Sequence, residues 1–461
     1  MADTYSLADA CGQQADISIW KDAVMARSTR VGLAGVAGLA ASLLIGCAST
    51  DGASTVGATA AASPANSDGA PATAPAPAPA PTAAPPAPAA PPPAALAPAA
   101  LDVAVQRAGE KLFGDALGVL GDAPRELVID PLIDANTGQQ TSASVAMGGQ
   151  LARLIADKFP MWKVQPLSRK NLSNAPLLLI GTLTPVDLND AGPAGPDAFR
   201  IWLTLADLRT GRIVAKRLDR ATLASVNAEP TRYFRDSPTW HKDRTVVAYI
   251  NSCQIDARVG AALDPLYLMR LPAAALLHEA IRAYNDNQLA LAHRLYGDAA
   301  RLAEVDDLRV LNGRYLTSWR LGKKKEASEV FGRIVVNGLA DKRLAVKILF
   351  EPGSTTLLPL ADLRAQYRLW LREVAKQADA KRTCLRVVGH SSRTGTAAAG
   401  EVLSQQRAAV VRWVLARDAP PSARRFTAEG VGWRENLSGL GTDDLRDALD
   451  RRVEFRVIDC P

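Results

Sequence analysis

The chain has 461 residues, 48% of them hydrophobic and 22% charged, with a formal net charge of +7. At roughly 100–200 residues per domain this length accommodates two to four domains, and the composition is that of a chain with a core to bury. No apolar run reaches the ~18 residues of a membrane span, five cysteines are too few for a disulfide scaffold, and the four histidines lack a second His or Cys at zinc-ligand spacing. No basic run is interleaved with aromatics, so a nucleic-acid partner is not expected.

Residues 1–24 carry Asp3, Asp9, Asp16 and Asp22 beside a lone Lys21. No secretory leader needs them, so Met25 is expected to be the true start and 1–24 a mis-assigned one. Residues 25–46 have the order of a signal peptide: Arg27 and Arg30, a nearly wholly apolar stretch over 31–45, then the small Gly46. Leu44-Ile45-Gly46-Cys47 resembles the bacterial lipoprotein box, which implies cleavage before Cys47 and lipidation of its thiol, as by palmitate. The alternatives are an uncleaved signal anchor or a plain signal with an incidental cysteine. Ala48, where inner-membrane retention would place Asp, resembles an outer-membrane sorting pattern. Residues 47–100 are almost wholly Ala, Pro, Gly, Ser and Thr, alternating Ala and Pro through much of 71–93. Such a segment has no core to form and reads as a disordered Pro/Ala tether. At ~3.1 Å per residue in an extended polyproline path it reaches on the order of 150 Å.

Three folded regions follow, making a multi-domain α+β chain. In 101–260 the apolar run 127–130 ends at Pro131 and reads as a strand. Leu151, Leu154, Ile155 and Phe159 lie at helical spacing before Pro160. A strand is expected over 177–183, and an alternating strand over 199–205 turns at 207–211 into a hairpin partner over 212–216. This α/β pattern with its Asp–Gly hairpin resembles small envelope-lipoprotein domains of the CsgG and FlgO kind. No catalytic cluster appears, and His241 beside Trp240 reads as a packing or surface residue.

Residues 261–342 repeat themselves. Leu276, Ala280, Ala292, Tyr296 and Ala299 recur 35 positions later as Leu311, Tyr315, Ala327, Phe331 and Ile334. Small residues at helix crossings with an aromatic in the second helix suit stacked helix pairs. The pattern resembles two tetratricopeptide repeats, with turns at 285–288 and 320–323. Such a module offers either a partner-binding groove or a structural spacer. His278-Glu279 opens like a helical zinc motif, but Arg282 stands where its second His is needed.

In 343–461 strands are expected over 344–350, 385–388, 426–432 and 452–458, with helices over 360–378 and 402–416. The order β-α-β-α-β-β suits a layered α+β domain. Gly389-His390-Ser391-Ser392-Arg393-Thr394-Gly395 is followed by Leu403-Ser404-Gln405-Gln406-Arg407-Ala408, then Gly430-Val431-Gly432 and Asp450-Arg451-Arg452-Val453-Glu454. These motifs and their spacing resemble the OmpA-like peptidoglycan-binding domain over about a quarter of the chain.

That resemblance implies a ligand, the diaminopimelate stem of peptidoglycan, whose free end bears a carboxylate and an ammonium. Arg407 would supply the guanidinium fork for the carboxylate, with His390, Ser391, Ser392 and Arg451 around it. The family's Asp for the ammonium falls at Ser392, which accepts a hydrogen bond but carries no charge. Losing a charge-assisted bond costs roughly 1.5–3 kcal/mol. The family's Asn falls at Gly400, and Asp450 replaces the Asn before Arg-Arg-Val. For Arg407 the structural alternative is an ion pair with an acid such as Glu401, and for Arg451 and Arg452 a strand-end ion pair. Cys384 opens one expected strand and Cys460 closes the last, so a disulfide forms if those strands are antiparallel neighbours; Cys253 has no evident partner. No nucleophile–base pair, metal set or phosphate loop appears, and Leu321-Gly322-Lys323 lacks the upstream glycine of a P-loop. No cofactor and no catalysed reaction are expected. The chain reads as an outer-membrane lipoprotein that bridges membrane and peptidoglycan from the periplasm. Its alternative is an envelope interaction scaffold whose OmpA-like domain has lost the wall.

Overall fold

The computed structural model describes residues 97–461 apart from 189–194, 241, 255–257, 303–306, 360–362 and 461. The expected lipidation site Cys47, the expected leader, most of the expected tether and His241 lie outside the described residues. Residues 97–100, expected to belong to the disordered tether, are ordered. Ala99 accepts from the Thr222 amide and donates to the Arg220 carbonyl, so the chain is already tied to a sheet edge before residue 101.

The first sheet holds β1 (Arg125–Ile129), β2 (Trp162–Gln165), β3 (Leu177–Val186), β4 (Ala198–Asp207) and β5 (Arg212–Thr222) in the order β2-β1-β3-β4-β5. β1 runs parallel to β2 and β3, while β3, β4 and β5 form an antiparallel meander. Alternate side chains of a strand leave opposite faces, and here both faces are covered. Leu177 and Leu179 join a core with helices α1 (Leu101–Leu120) and α2 (Ser142–Lys158). Leu178 and Ile180 point the other way, into a second core. Burial on both sides is why 177–180 is an unbroken apolar run. Thr141 caps α2 in a reciprocal box with Ser144. The short helices α3 (Arg169–Leu172) and α4 (Arg232–Asp236) follow β2 and β5. The second core is roofed by α5 (Arg244–Cys253) and the start of α6 (Pro265–Asn285).

Four helices then run in succession: α6, α7 (Leu289–Leu302), α8 (Leu308–Arg320) and α9 (Lys324–Ala340). The turns after α6 and α8 each contain one left-handed residue, Asn287 and Gly322, 35 positions apart. Gly313 of α8 lies against the Tyr296 ring so closely that a Cβ there would overlap it. The small residue sets the helix spacing.

The second sheet holds β6 (Arg343–Leu349), β7 (Cys384–Gly389), β8 (Phe426–Gly430) and β9 (Arg452–Ile458) in the order β6-β9-β7-β8. Helices α10 (Leu363–Ala380) and α11 (Ala397–Asp418) separate the strands in chain order β-α-β-α-β-β. β7 is parallel to β8 and antiparallel to β9, and Cys384 and Cys460 at the end of that antiparallel pair form a disulfide with Cα atoms 5.3 Å apart.

These parts share seams. The segment around Thr239 pairs with Val346 along β6, where the Lys347 amide donates to the Pro238 carbonyl. This covers an edge that would otherwise offer unpaired amides. Trp370 of α10 donates to the Tyr315 hydroxyl at 2.7 Å, which in turn donates to Gln366 at 2.9 Å. The helical segment thus grips the C-terminal domain through a buried aromatic hydrogen-bond chain.

Candidate functional site

The site forms where β7 runs into α11. Gly389 ends the strand, and a Cβ there would fall inside the shell of the Ser404 carbonyl oxygen; at Gly430 it would strike the Gln405 amide. Both glycines let the α11 backbone lie directly on β7 and β8. Ser404 fastens the approach, its hydroxyl donating to the Glu401 carbonyl at 2.8 Å and accepting from the Gly432 amide at 2.9 Å.

Arg407, two turns into α11 from Gly400, is completely buried. Its Nε donates to the Ser354 carbonyl, Nη1 to the His390 carbonyl and Nη2 to the Glu351 carbonyl, each at 2.9 Å. The expected alternative of an ion pair with Glu401 does not occur, because Glu401 pairs with Arg434. Burial and the nearby Arg451 guanidinium pull the Arg407 pKa down to about 10, with Asp443 opposing them.

Arg451 is also buried and donates to Asp447 at 2.5 Å and to the Asp444 carbonyl at 2.8 Å. Asp443 lies 3.4 Å from it and accepts a 2.5 Å hydrogen bond from the Ser392 hydroxyl. The anion that position 392 lacks is therefore supplied 51 residues later in the chain. The Asp443 side chain is 29% exposed and opens the cluster to solvent, whereas the two guanidiniums lie beneath it. Two cations and two carboxylates meet here, so the site is near neutral but polarised.

The remaining expected residues diverge. The His390 side chain is fully buried with Nε2 3.6 Å from Glu454, and it is its carbonyl that meets Arg407. Burial depresses the His390 pKa, with Arg452 adding to the effect and Glu454 opposing it. Burial alone would raise Glu454, but His390 and Arg452 outweigh it and hold the carboxyl well below its usual range. Ser391 directs its buried hydroxyl at Gly400, where a Cβ would come within 2.8 Å of it and within 3.1 Å of the Trp433 ring. Asp450 supplies no anion to the cluster: its carboxylate accepts from the amides of Leu437, Ser438 and Gly439. Arg452 is a strand-end ion pair with Glu454 at 2.9 Å.

His390, Glu435 and Glu454 bring possible metal-ligand atoms within 4.8 Å of one another. Arg452 and Arg456 already occupy those carboxylates, which disfavours a further cation.

Residues 349–448 match the OmpA family. The matched span of this OmpA family domain contains Ser392, Arg407 and Asp443. Similar solved structures include the peptidoglycan-associated lipoprotein from Burkholderia pseudomallei, 22% identical over 24% of this chain and 89% of that one, with a TM-score of 0.21. The cell wall anchor of the T6SS from Pseudomonas aeruginosa is 24% identical over 28% of this chain and 97% of that one, TM-score 0.21. The C-terminal domain of LpoB from Escherichia coli is 17% identical over 26% and 98%, TM-score 0.19. No curated protein matches the chain significantly.

Proposed function

We propose that this chain is an outer-membrane lipoprotein that holds the membrane to peptidoglycan without catalysing a reaction. Lipid on Cys47 anchors it, residues 47–96 carry the folded part away from the membrane, and the OmpA family domain takes the diaminopimelate stem. The observation that carries this reading is the Ser392–Asp443–Arg451 cluster above Arg407. Paired opposite charges in one cluster suit a zwitterionic end group, with Asp443 toward the ammonium and the arginines toward the carboxylate. The four-helix segment serves as a tetratricopeptide-like surface for a protein partner.

A second reading has its own support. Arg407 already donates to three main-chain carbonyls, so a carboxylate must compete with them. In that reading the domain is a scaffold element without wall affinity.

Co-sedimentation of the purified chain with peptidoglycan sacculi separates the two. The tether reading requires wild type to pellet, and Asp443→Ala and Arg407→Ala to pellet measurably less. A folded wild type that stays in solution refutes it in favour of the scaffold.

A further inference from the structure

Asp443 sits on a loop that draws part of its support from outside its own domain. Gly439, Gly441 and Asp443 all have positive φ, at 69°, 62° and 53°. Left-handed backbone in a non-glycine residue persists where its surroundings impose it. The base of the loop is fixed by Asp450 through the amides of residues 437–439, and its far end by the Asp443 amide donating to Asp447 at 3.0 Å. Between these points Gly441 lies close to the Arg393 carbonyl, where a Cβ would come within 3.0 Å of it, and further support, there and at the base, comes from the other sheet. Leu440 packs on the hydrophobic core shared by α1, α2 and β3. Asn136 Nδ2 donates to the Leu437 carbonyl at 3.2 Å, and Pro196 lies against Gly439, where a Cβ would come within 3.2 Å of it. Leu183, Pro185 and Phe199 of the first sheet face Ser438, Leu445 and Leu449 across a small cavity of the same seam.

We propose that Leu440 is a positioning residue for the ligand site: seated on the first sheet's core, it sets Asp443 against Ser392 and Arg451. The α/β region then acts as a clamp on the grip of the OmpA family domain, and loosening the seam loosens the grip. This rests on the reading of the Ser392–Asp443 cluster as the wall-binding site.

The test uses the full chain as wild type, Leu440→Ala, Leu440→Met, Asp443→Ala and the Leu440→Ala/Asp443→Ala double variant. Amide hydrogen exchange is read without any ligand. Leu440→Ala should speed exchange at Asp443 by about tenfold or more, with 437–439 and β9 unchanged, because only the middle support is lost. Leu440→Met, which keeps the volume, should restore wild-type protection. Sacculus binding is read in parallel. Leu440→Ala and Asp443→Ala should each weaken it about tenfold, and the double variant should be no weaker than Asp443→Ala alone. Unchanged exchange at Asp443 in Leu440→Ala overturns the inference whatever the sacculi show, as does multiplication of the two binding losses. Faster exchange in a chain whose wild type never pellets supports the positioning and refutes the wall reading.

Discussion

Ser392 and Asp443, far apart in the chain, share one hydrogen bond of 2.5 Å, and through it the OmpA family domain recovers a negative charge that its Gly-His-Ser-Ser motif lacks. Restoring Asp at 392 therefore does not repair the site. In Ser392→Asp two carboxylates face each other at hydrogen-bond range, and one must take up a proton or move. The variant should melt below wild type at neutral pH, recover part of the loss on acidification, and bind sacculi no better. The exchanged pair Ser392→Asp/Asp443→Ser keeps one carboxylate and one hydroxyl and should return close to wild type in both assays. Thermal melts at two pH values decide it; a Ser392→Asp chain of wild-type stability at neutral pH would contradict the geometry.

Gly389 and Gly430 should be the least replaceable positions near the site. A Cβ at either meets the main chain of α11 rather than a movable side-chain end. Gly389→Ala and Gly430→Ala are each expected to cost about 3 kcal/mol or more, because helix and strand must separate. Gly395→Ala meets nothing within 4 Å and is strained only by its φ of 76°, so it should cost about 1 kcal/mol. Denaturant titration of the three variants ranks them, and equal losses would show that backbone conformation, not approach, is what these glycines supply.

The same contrast explains what was legible in the sequence. Gly389, Ser404 and Arg407 lie at fixed spacings because they make one local contact between a strand end and a helix, and local contacts leave spacing. The strand run at 177–180 and the alternation over 199–205 were legible because burial of one or two faces dictates them. Asp443 left no such trace. Its role depends on a left-handed loop pinned at Asp447, Asp450 and Leu440, and the nearest signal was the acidic run Asp443-Asp444 with Asp447 ahead of Arg451. Asp450 lies in the motif where the family has Asn, but its carboxylate closes a turn. Helix α1 was missed for a different reason: its buried face includes Ala104, Ala108 and Ala116, which continue the alanine-rich composition of the tether.

Lys347 couples the seam to pH. Its ammonium is buried and donates to the Phe234 and Arg235 carbonyls at 2.7 and 3.1 Å, at the C-terminal end of α4. Burial brings its pKa down to about 7 despite the nearby Asp236, with Arg235 contributing to the fall. Between that value and the ordinary 10.5 the unfolded chain keeps a proton that the folded chain has released. Folding stability from this group therefore rises with pH across that window and is lowest below about 7, where both states are charged. Subtracting Lys347→Met from wild type isolates the effect. The difference should climb above neutral pH by at most about 1.4 kcal/mol per unit, and a flat difference would show that Lys347 stays charged throughout.

The Cys384–Cys460 bond closes a loop of 76 residues that contains α11, β8 and the side chains Ser392, Arg407, Asp443 and Arg451 of the candidate site. Cross-linking so long a loop removes chain entropy from the unfolded state, worth about 4 kcal/mol on the loop-length relation. The bond joins the start of β7 to the residue just past β9, two strands already paired in register from Cys384–Ile458 to Gly389–Val453. Its loss should thus weaken the domain without rearranging the sheet. Cys253 is fully buried in the α/β core, where burial pushes its thiol well above the usual value, so it does not compete for either partner. Denaturation with and without reductant should show a large drop in midpoint for wild type. The Cys384→Ser/Cys460→Ser variant should start at the reduced value and ignore the reductant. A wild type equally stable in both conditions would mean that strand pairing alone holds this end of the pair.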